Sequence, residues 1–168
     1  MGYLDSTKIT NFNGELFEIK KEENRIIFIS KINVADCRGE YDDSNYINFM
    51  SSLLTNDQYT DVLVSGLGIG VIPQWLATEK SSNVDVVELN QELIDTVSGM
   101  GYLNKNINLI QSDIYQYNTD KKYDLIYLDH WFFPDKEYNS QRTQLINLFT
   151  KNKKTDSNII FPITKEIF

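Results

Sequence analysis

Cysteine and histidine are nearly absent. The 168 residues hold one cysteine, Cys37, and one histidine, His130. A single cysteine forms no intrachain disulfide and excludes a Cys-rich metal site. Its plainest role is a free, buried thiol in a reducing compartment. A single histidine excludes a His-centred metal cage, and a Ser-His-Asp triad would have to use His130. Long apolar runs are missing too, so no segment reads as a bilayer span. The start, Met1-Gly2-Tyr3-Leu4-Asp5-Ser6, lacks the basic and then apolar pattern of a signal peptide, which points to the cytoplasm. Positive charge is scarce: 16 Lys and Arg stand against 24 Asp and Glu, a net charge of −8. Nucleic-acid binding needs cations to neutralise phosphates and is disfavoured. The one basic cluster, Lys151, Lys153 and Lys154, reads as a solvated helix end.

What is present is a hydrophobic fraction of 41%, enough for the core of one domain. Residues 1–40 read as an N-terminal β-hairpin extension. Leu16, Phe17 and Ile19 lie in one run, Ile26 to Ile29 in the next, and Glu22-Glu23-Asn24 forms the turn. Gly39 to Asp43 breaks the chain. A helix follows, capped by Asp43 or Ser44, with an apolar stripe of Tyr46, Ile47, Met50, Leu53 and Leu54.

From Asp61 onward, within residues 41–168, strands and helices alternate. Strands are expected at Asp61–Ser65, Val84–Leu89, Ile107–Gln111, Tyr123–Leu128 and Asn158–Ile163. Helical faces are carried by Val71, Ile72, Trp75 and Leu76, by Leu93, Ile94 and Val97, and by Leu145, Ile146, Leu148 and Phe149. Pro73 is tolerated in a first helical turn. The pattern predicts an α/β fold: a Rossmann-like, doubly wound, mostly parallel sheet, shortened at its C-terminus. Ligands of such sheets bind beyond the carboxyl ends of the strands.

The segment Val62-Leu63-Val64-Ser65-Gly66-Leu67-Gly68-Ile69-Gly70 carries the first chemical signal. A strand runs into a glycine turn and then a helix, and glycine serves where φ is positive or where a ligand approaches the backbone. A dinucleotide fingerprint needs G-x-G-x-x-G, and position 71 is Val. The spacing G-x-G-x-G serves either a ligand or merely a tight turn. Glu88 ends the second strand about 20 residues on, where a carboxylate can accept from both hydroxyls of a ribose. In Gln111-Ser112-Asp113-Ile114, Asp113 can accept from an adenine amino group and Ile114 can supply an apolar wall.

Over Asp61 to Ile163 these residues resemble the class I S-adenosylmethionine-dependent methyltransferase superfamily. The hairpin and helix ahead of the glycines look most like its spermidine synthase branch. The resemblance implies S-adenosylmethionine, or its decarboxylated form, as cofactor. The implied binding set is Gly66, Leu67, Gly68, Gly70, Glu88, Leu89, Asp113 and Ile114. The glycine turn would lie under the methionine moiety, Glu88 at the ribose and Asp113 at the adenine.

Asp129 closes the fourth strand, and Asp129 with His130 could act as base and orienter. Alternatively, Asp129 holds the cofactor ammonium and His130 packs beside Trp131. Trp131, Phe132 and Phe133 wall a substrate pocket or cover the core. The spermidine synthase pattern D-S-x-D-P is replaced here by Asp129-His130-Trp131-Phe132-Phe133-Pro134, without the second acid. That branch's Y-H-E motif is matched only by Tyr46, not by Ile47 and Asn48. No N/D-P-P-Y segment suggests DNA adenine methylation.

Three functions fit. The first is transfer of a methyl group to a small molecule. The second is aminopropyl transfer from the decarboxylated cofactor. The third is a non-catalytic, cofactor-binding regulatory domain. An apolar fifth strand left at the sheet edge predicts a homo-oligomer, most simply a dimer.

Overall fold

A computed structural model describes residues 7–22, 25–31, 37–41, 48, 51–52, 54, 59–80, 82–129, 137–161 and 166–167. Its N-terminal part is a four-stranded antiparallel sheet, larger than the expected hairpin. β1 (Phe12–Asn13), β2 (Phe17–Glu22), β3 (Arg25–Ser30) and β4 (Cys37–Tyr41) lie in the order β1-β2-β3-β4. The expected break at Gly39 is instead a strand position, where Gly39 pairs with Phe28. A ladder is made by main-chain groups, so a glycine weakens the pairing without ending it. Phe17 and Ile19 are buried, Phe12 stacks on Phe17 with ring centroids 4.8 Å apart, and Phe17 stacks on Phe28 at 5.7 Å. The Cys37 side chain lies outside the described residues. So does most of the expected helix, including Asp43, Ser44, Tyr46, Ile47, Met50 and Leu53. Asn48, Ser51 and Ser52 are helical, and Leu54 is buried.

The second sheet has the order β10-β9-β8-β5-β6-β7. Its strands are β5 (Asp61–Ser65), β6 (Asn83–Glu88), β7 (Ile107–Gln111), β8 (Tyr123–Leu128), β9 (Lys153–Phe161) and β10 (Glu166–Ile167). The first five are parallel and β10 is antiparallel to β9. Three helices interleave them: α1 (Val71–Glu79), α2 (Gln91–Gly99) and α3 (Tyr138–Phe149). Pro73 sits in the first turn of α1, where its missing N–H has no helical partner to lose. Asn90 caps α2, its side chain accepting from the Leu93 N–H at 3.3 Å.

Alternate strand residues face opposite sides, and both sides are buried. On one side Val62, Val64, Val86, Leu125 and Tyr127 pack with α1, with α2 and with Ile9, Phe17, Ile19 and Phe28 of the N-terminal part. On the other, Leu63, Val87, Ile126, Leu128 and Ile159 pack with Leu145 and Phe149 of α3.

The fifth parallel strand differs from expectation at both ends. It begins at Lys153, ahead of Asn158, and Pro162 and Ile163 lie outside the described residues. Nor is β9 left bare at its apolar end, because Phe161 pairs with Glu166 and Ile160 with Ile167. That pairing satisfies main-chain groups on the free edge of β9 that the expected dimer would otherwise cover.

Candidate functional site

The residues singled out in the sequence converge at the carboxyl edge of the parallel strands. The register sets them side by side. Ser65, the last residue of β5, lies opposite Val87 of β6 and Leu128 of β8, and Glu88 lies opposite Gln111 of β7. The glycine turn therefore emerges between Glu88 on one flank and Asp129 on the other, with Asp113 beyond Glu88.

Gly66, Gly68 and Gly70 have φ of 90°, 52° and 80°, all in the left-handed region that favours glycine. The Gly66 N–H donates to the Val87 carbonyl at 2.9 Å, and the Gly70 N–H to the Leu67 carbonyl at 2.9 Å. A Cβ at Gly70 would lie 2.8 Å from Leu103 Cδ2, the tip of a side chain that can shift, so it is the φ of 80° that calls for glycine there. Gly70 also precedes α1 without any side chain to cap it, which leaves the first-turn amides and the positive end of the helix dipole uncapped by a side chain. A backbone stripped of side chains at a helix start is the form an elongated anionic or zwitterionic ligand needs.

Glu88 is half-buried and both of its carboxylate oxygens are engaged. Oε2 accepts the Leu67 N–H at 2.9 Å and Oε1 the Asn90 N–H at 2.8 Å. A carboxylate has about four lone-pair sites, so acceptor capacity is left for a ligand. Asp113 accepts the Tyr115 N–H through Oδ1 at 2.9 Å and the Gln116 amide through Oδ2 at 3.4 Å. Its carboxylate thereby caps the short turn that follows β7. Leu89 is 65% exposed beside Glu88, its carbonyl accepting from Gln111 Nε2 at 3.1 Å. Ile114 is buried in the second core. Leu67 is 4% exposed, so its main chain faces the turn while its side chain belongs to the core. Asp129 is partly exposed, and its N–H donates to the Ser65 carbonyl at 3.1 Å, tying β8 to the strand that carries the glycines. His130, Trp131, Phe132 and Phe133 lie outside the described residues.

Two features escaped the sequence reading. Tyr102, in the loop after α2, donates its buried hydroxyl to the Ile69 carbonyl inside the glycine turn at 2.5 Å. At the opposite, amino edge of the sheet lies a charged network. Asp85 accepts from Asn108 at 3.0 Å, Lys121 at 2.9 Å and Tyr123 at 2.9 Å. Lys154 bridges Asp61 at 2.8 Å and Asp124 at 2.9 Å. Burial pushes the Asp85 carboxyl up, but the bonds from Asn108, Lys121 and Tyr123 outweigh it and hold the group below its ordinary value. Burial raises Asp124 likewise, and the Asp61 and Thr60 amides with Lys154 bring it down. The sequence signal for this network was available, since Asp85 interrupts an otherwise apolar parallel strand. Among the described residues no group of three or more His, Cys, Asp or Glu is gathered as a metal site, and no helix is long and apolar enough to cross a membrane.

No family model matches the chain. A curated relative, malonyl-[acyl-carrier protein] O-methyltransferase 2 of Ilyobacter polytropus, is 28% identical over 78 residues. That stretch is 46% of this chain and 30% of the relative, so the match spans under a third of that protein. Among solved structures, the N-methyltransferase NodS of Bradyrhizobium japonicum, in complex with S-adenosylhomocysteine, superposes with a TM-score of 0.56 at 18% identity. The match covers 69% of this chain and 58% of NodS. Coclaurine N-methyltransferase, bound to N-methylheliamine and S-adenosylhomocysteine, gives 0.55 at 19% identity, over 70% of this chain and 34% of that one. A methyltransferase of Geobacter sulfurreducens in complex with S-adenosylhomocysteine gives 0.54 at 15% identity, over 69% and 46%. With its parallel strand order and these likenesses, the chain has the class I S-adenosylmethionine-dependent methyltransferase fold.

Proposed function

We propose that this protein binds S-adenosylmethionine and transfers its methyl group to a small-molecule acceptor. The observation that carries the reading is the alignment of the bare glycine turn with Glu88, Asp113 and Asp129 on neighbouring strand ends. The turn at Gly66, Gly68 and Gly70, with the main chain of Leu67, receives the amino-acid end of the cofactor. Glu88 accepts from the ribose and Asp113 from the adenine amino group, while Leu89 and Ile114 flank the ring. S-adenosylmethionine supplies an electrophilic methyl group on a sulfonium. The protein's own work is then alignment of the acceptor, exclusion of water, and removal of a proton as the nucleophile reacts. Asp129 is assigned that proton, with His130 as its partner in the following segment.

The named neighbours are methyltransferases, which favours methyl over aminopropyl transfer. The net charge of −8 favours a small acceptor over a nucleic acid. Calorimetry with S-adenosylmethionine, S-adenosylhomocysteine and NAD tests the cofactor. Tighter binding of either sulfur nucleoside than of NAD is expected, and equal or tighter NAD binding overturns the reading. Mass spectrometry after incubation with candidate acceptors then looks for a methyl mass increment.

A further inference from the structure

Glycines bend the turn, but they do not hold it. A glycine populates positive and negative φ with similar ease, so a run of three alternating glycines needs restraint from outside. The peptide between Ile69 and Gly70 is restrained at both of its polar atoms. The Gly70 N–H donates to the Leu67 carbonyl at 2.9 Å, within the turn. The Ile69 carbonyl accepts the Tyr102 hydroxyl at 2.5 Å, from a residue 33 positions away.

Local structure delivers Tyr102 to that point. Helix α2 ends at Gly99, and Gly101, at φ 68°, turns the chain back while its N–H donates to the Ser98 carbonyl at 3.0 Å. Tyr102 and Leu103 then lie over the glycine turn. From a Cβ position on Gly70, Tyr102 Cε2 is 3.9 Å away and Leu103 Cδ2 is 2.8 Å away. The Tyr102 ring is 7% exposed and packs in the cluster that contains Leu67, Ile69 and Val97. An apolar cluster of this kind is filled equally well by phenylalanine. A hydroxyl buried there must be hydrogen-bonded, and this one donates into the glycine turn.

We propose that Tyr102 is a positioning residue for the cofactor: its hydroxyl fixes the Ile69–Gly70 peptide and so holds the glycine turn in its binding shape. The inference rests on the cofactor assignment proposed above. Tyr102→Phe removes the hydroxyl and keeps the ring. Ile159→Val, a change to a buried residue of β9 in the cluster on the other side of the sheet, serves as the control for stability alone. Two readouts separate the roles: S-adenosylhomocysteine affinity by calorimetry, and amide hydrogen exchange of the turn in the ligand-free protein.

Tyr102→Phe is expected to weaken S-adenosylhomocysteine about fivefold, the worth of one ordinary hydrogen bond, and to speed exchange of the Gly70 amide. Ile159→Val is expected to lower the thermal midpoint and leave the affinity at the wild-type level. Wild-type affinity in Tyr102→Phe overturns the inference and leaves the proposed function standing. An equal loss of affinity in Ile159→Val also overturns it, because general loosening then suffices. A wild-type chain that binds no S-adenosylhomocysteine overturns the function and the positioning role together.

Discussion

The carboxylate of Glu88 accepts the main-chain N–H of Leu67 at 2.9 Å, joining the end of β6 to the middle of the glycine turn on β5. The other oxygen holds the N–H of Asn90, the cap of α2, at 2.8 Å. Glu88 therefore shapes the site as well as lining it. Its removal loosens the turn, the start of α2 and the proposed ribose contact together.

Glu88→Ala is accordingly expected to weaken cofactor binding more than Asp113→Ala. Each hydrogen bond to a charged group is worth about 1.5–3 kcal/mol, so loss of even one in the Glu88 variant lowers affinity at least about tenfold. Asp113 accepts from Tyr115 and Gln116, within the local turn that follows β7. Calorimetric titration of both variants checks the ranking. An intact fold with unchanged affinity in Glu88→Ala removes that residue from the site.

Asp129→Asn is expected to bind the cofactor as the parent does and to lose most turnover. The amide keeps the shape and the Asp129 N–H bond to the Ser65 carbonyl, but it is no base. General-base removal commonly costs about 10²–10⁴ in rate. Single-turnover assays on an accepted substrate measure it, and full activity in the variant makes Asp129 structural.

Much of this arrangement was legible in the sequence, and the limits are physical. The central parallel strands β5 and β8 are buried on both faces, so Val62 to Val64 and Leu125 to Leu128 read as apolar runs between glycines and helical faces. The glycine turn, Glu88, Asp113 and Asp129 stand out in the sequence because each lies at or just beyond the end of a strand-like run. β4 and β10 were missed because Cys37-Arg38-Gly39-Glu40-Tyr41 holds no β-branched residue and Glu166-Ile167 is too short to show a period. β9 was read late because Lys153 to Asp156 is polar, and Asp156 has a φ of 66° where the register with β8 slips. Tyr102 was silent because its partner is a main-chain carbonyl, which leaves no mark in a side-chain pattern.

The amino-edge network sets an acid limit to stability. Asp85 and Asp124 titrate lower in the folded chain than the ordinary 3.8. Their contribution is thus fully present above the unfolded value, about 3.9, and is lost as pH falls through the folded values. The thermal midpoint is expected to drop steeply below about pH 4 through these groups. Replacing Asp124 with Asn should flatten part of that fall, and an unchanged profile would show that other carboxylates govern it. Lys121 has the opposite sign. Burial lowers it, but Asp85 and Asp61 raise it above 10.5, so its contribution is present at neutral pH and fades only as pH rises through the raised value.

The same network supports a sharper test, because its members differ in their freedom to escape. Asp85 is 8% exposed and Tyr123 is fully buried, with the Tyr123 hydroxyl 2.9 Å from Asp85 Oδ2. Lys121 has a side chain 35% exposed and can turn to water when its partner is removed. The Tyr123 hydroxyl cannot, and its other neighbour, the Tyr117 hydroxyl, lies at a long 3.4 Å. Asp85→Ala therefore leaves a buried hydroxyl poorly paired, a penalty of about 1–3 kcal/mol beyond the bonds themselves. Tyr123→Phe alone removes one donor and leaves Asp85 still held by Asn108 and Lys121, at a cost of about 1 kcal/mol. The double variant should then be more stable than the sum of the two single losses predicts, since no orphaned hydroxyl remains in it. Urea unfolding of the four proteins measures the coupling, expected at about 0.5–3 kcal/mol for groups in direct contact. Strict additivity would mean that the Tyr123 hydroxyl finds another partner once Asp85 is gone, and that the network is a set of independent pairs.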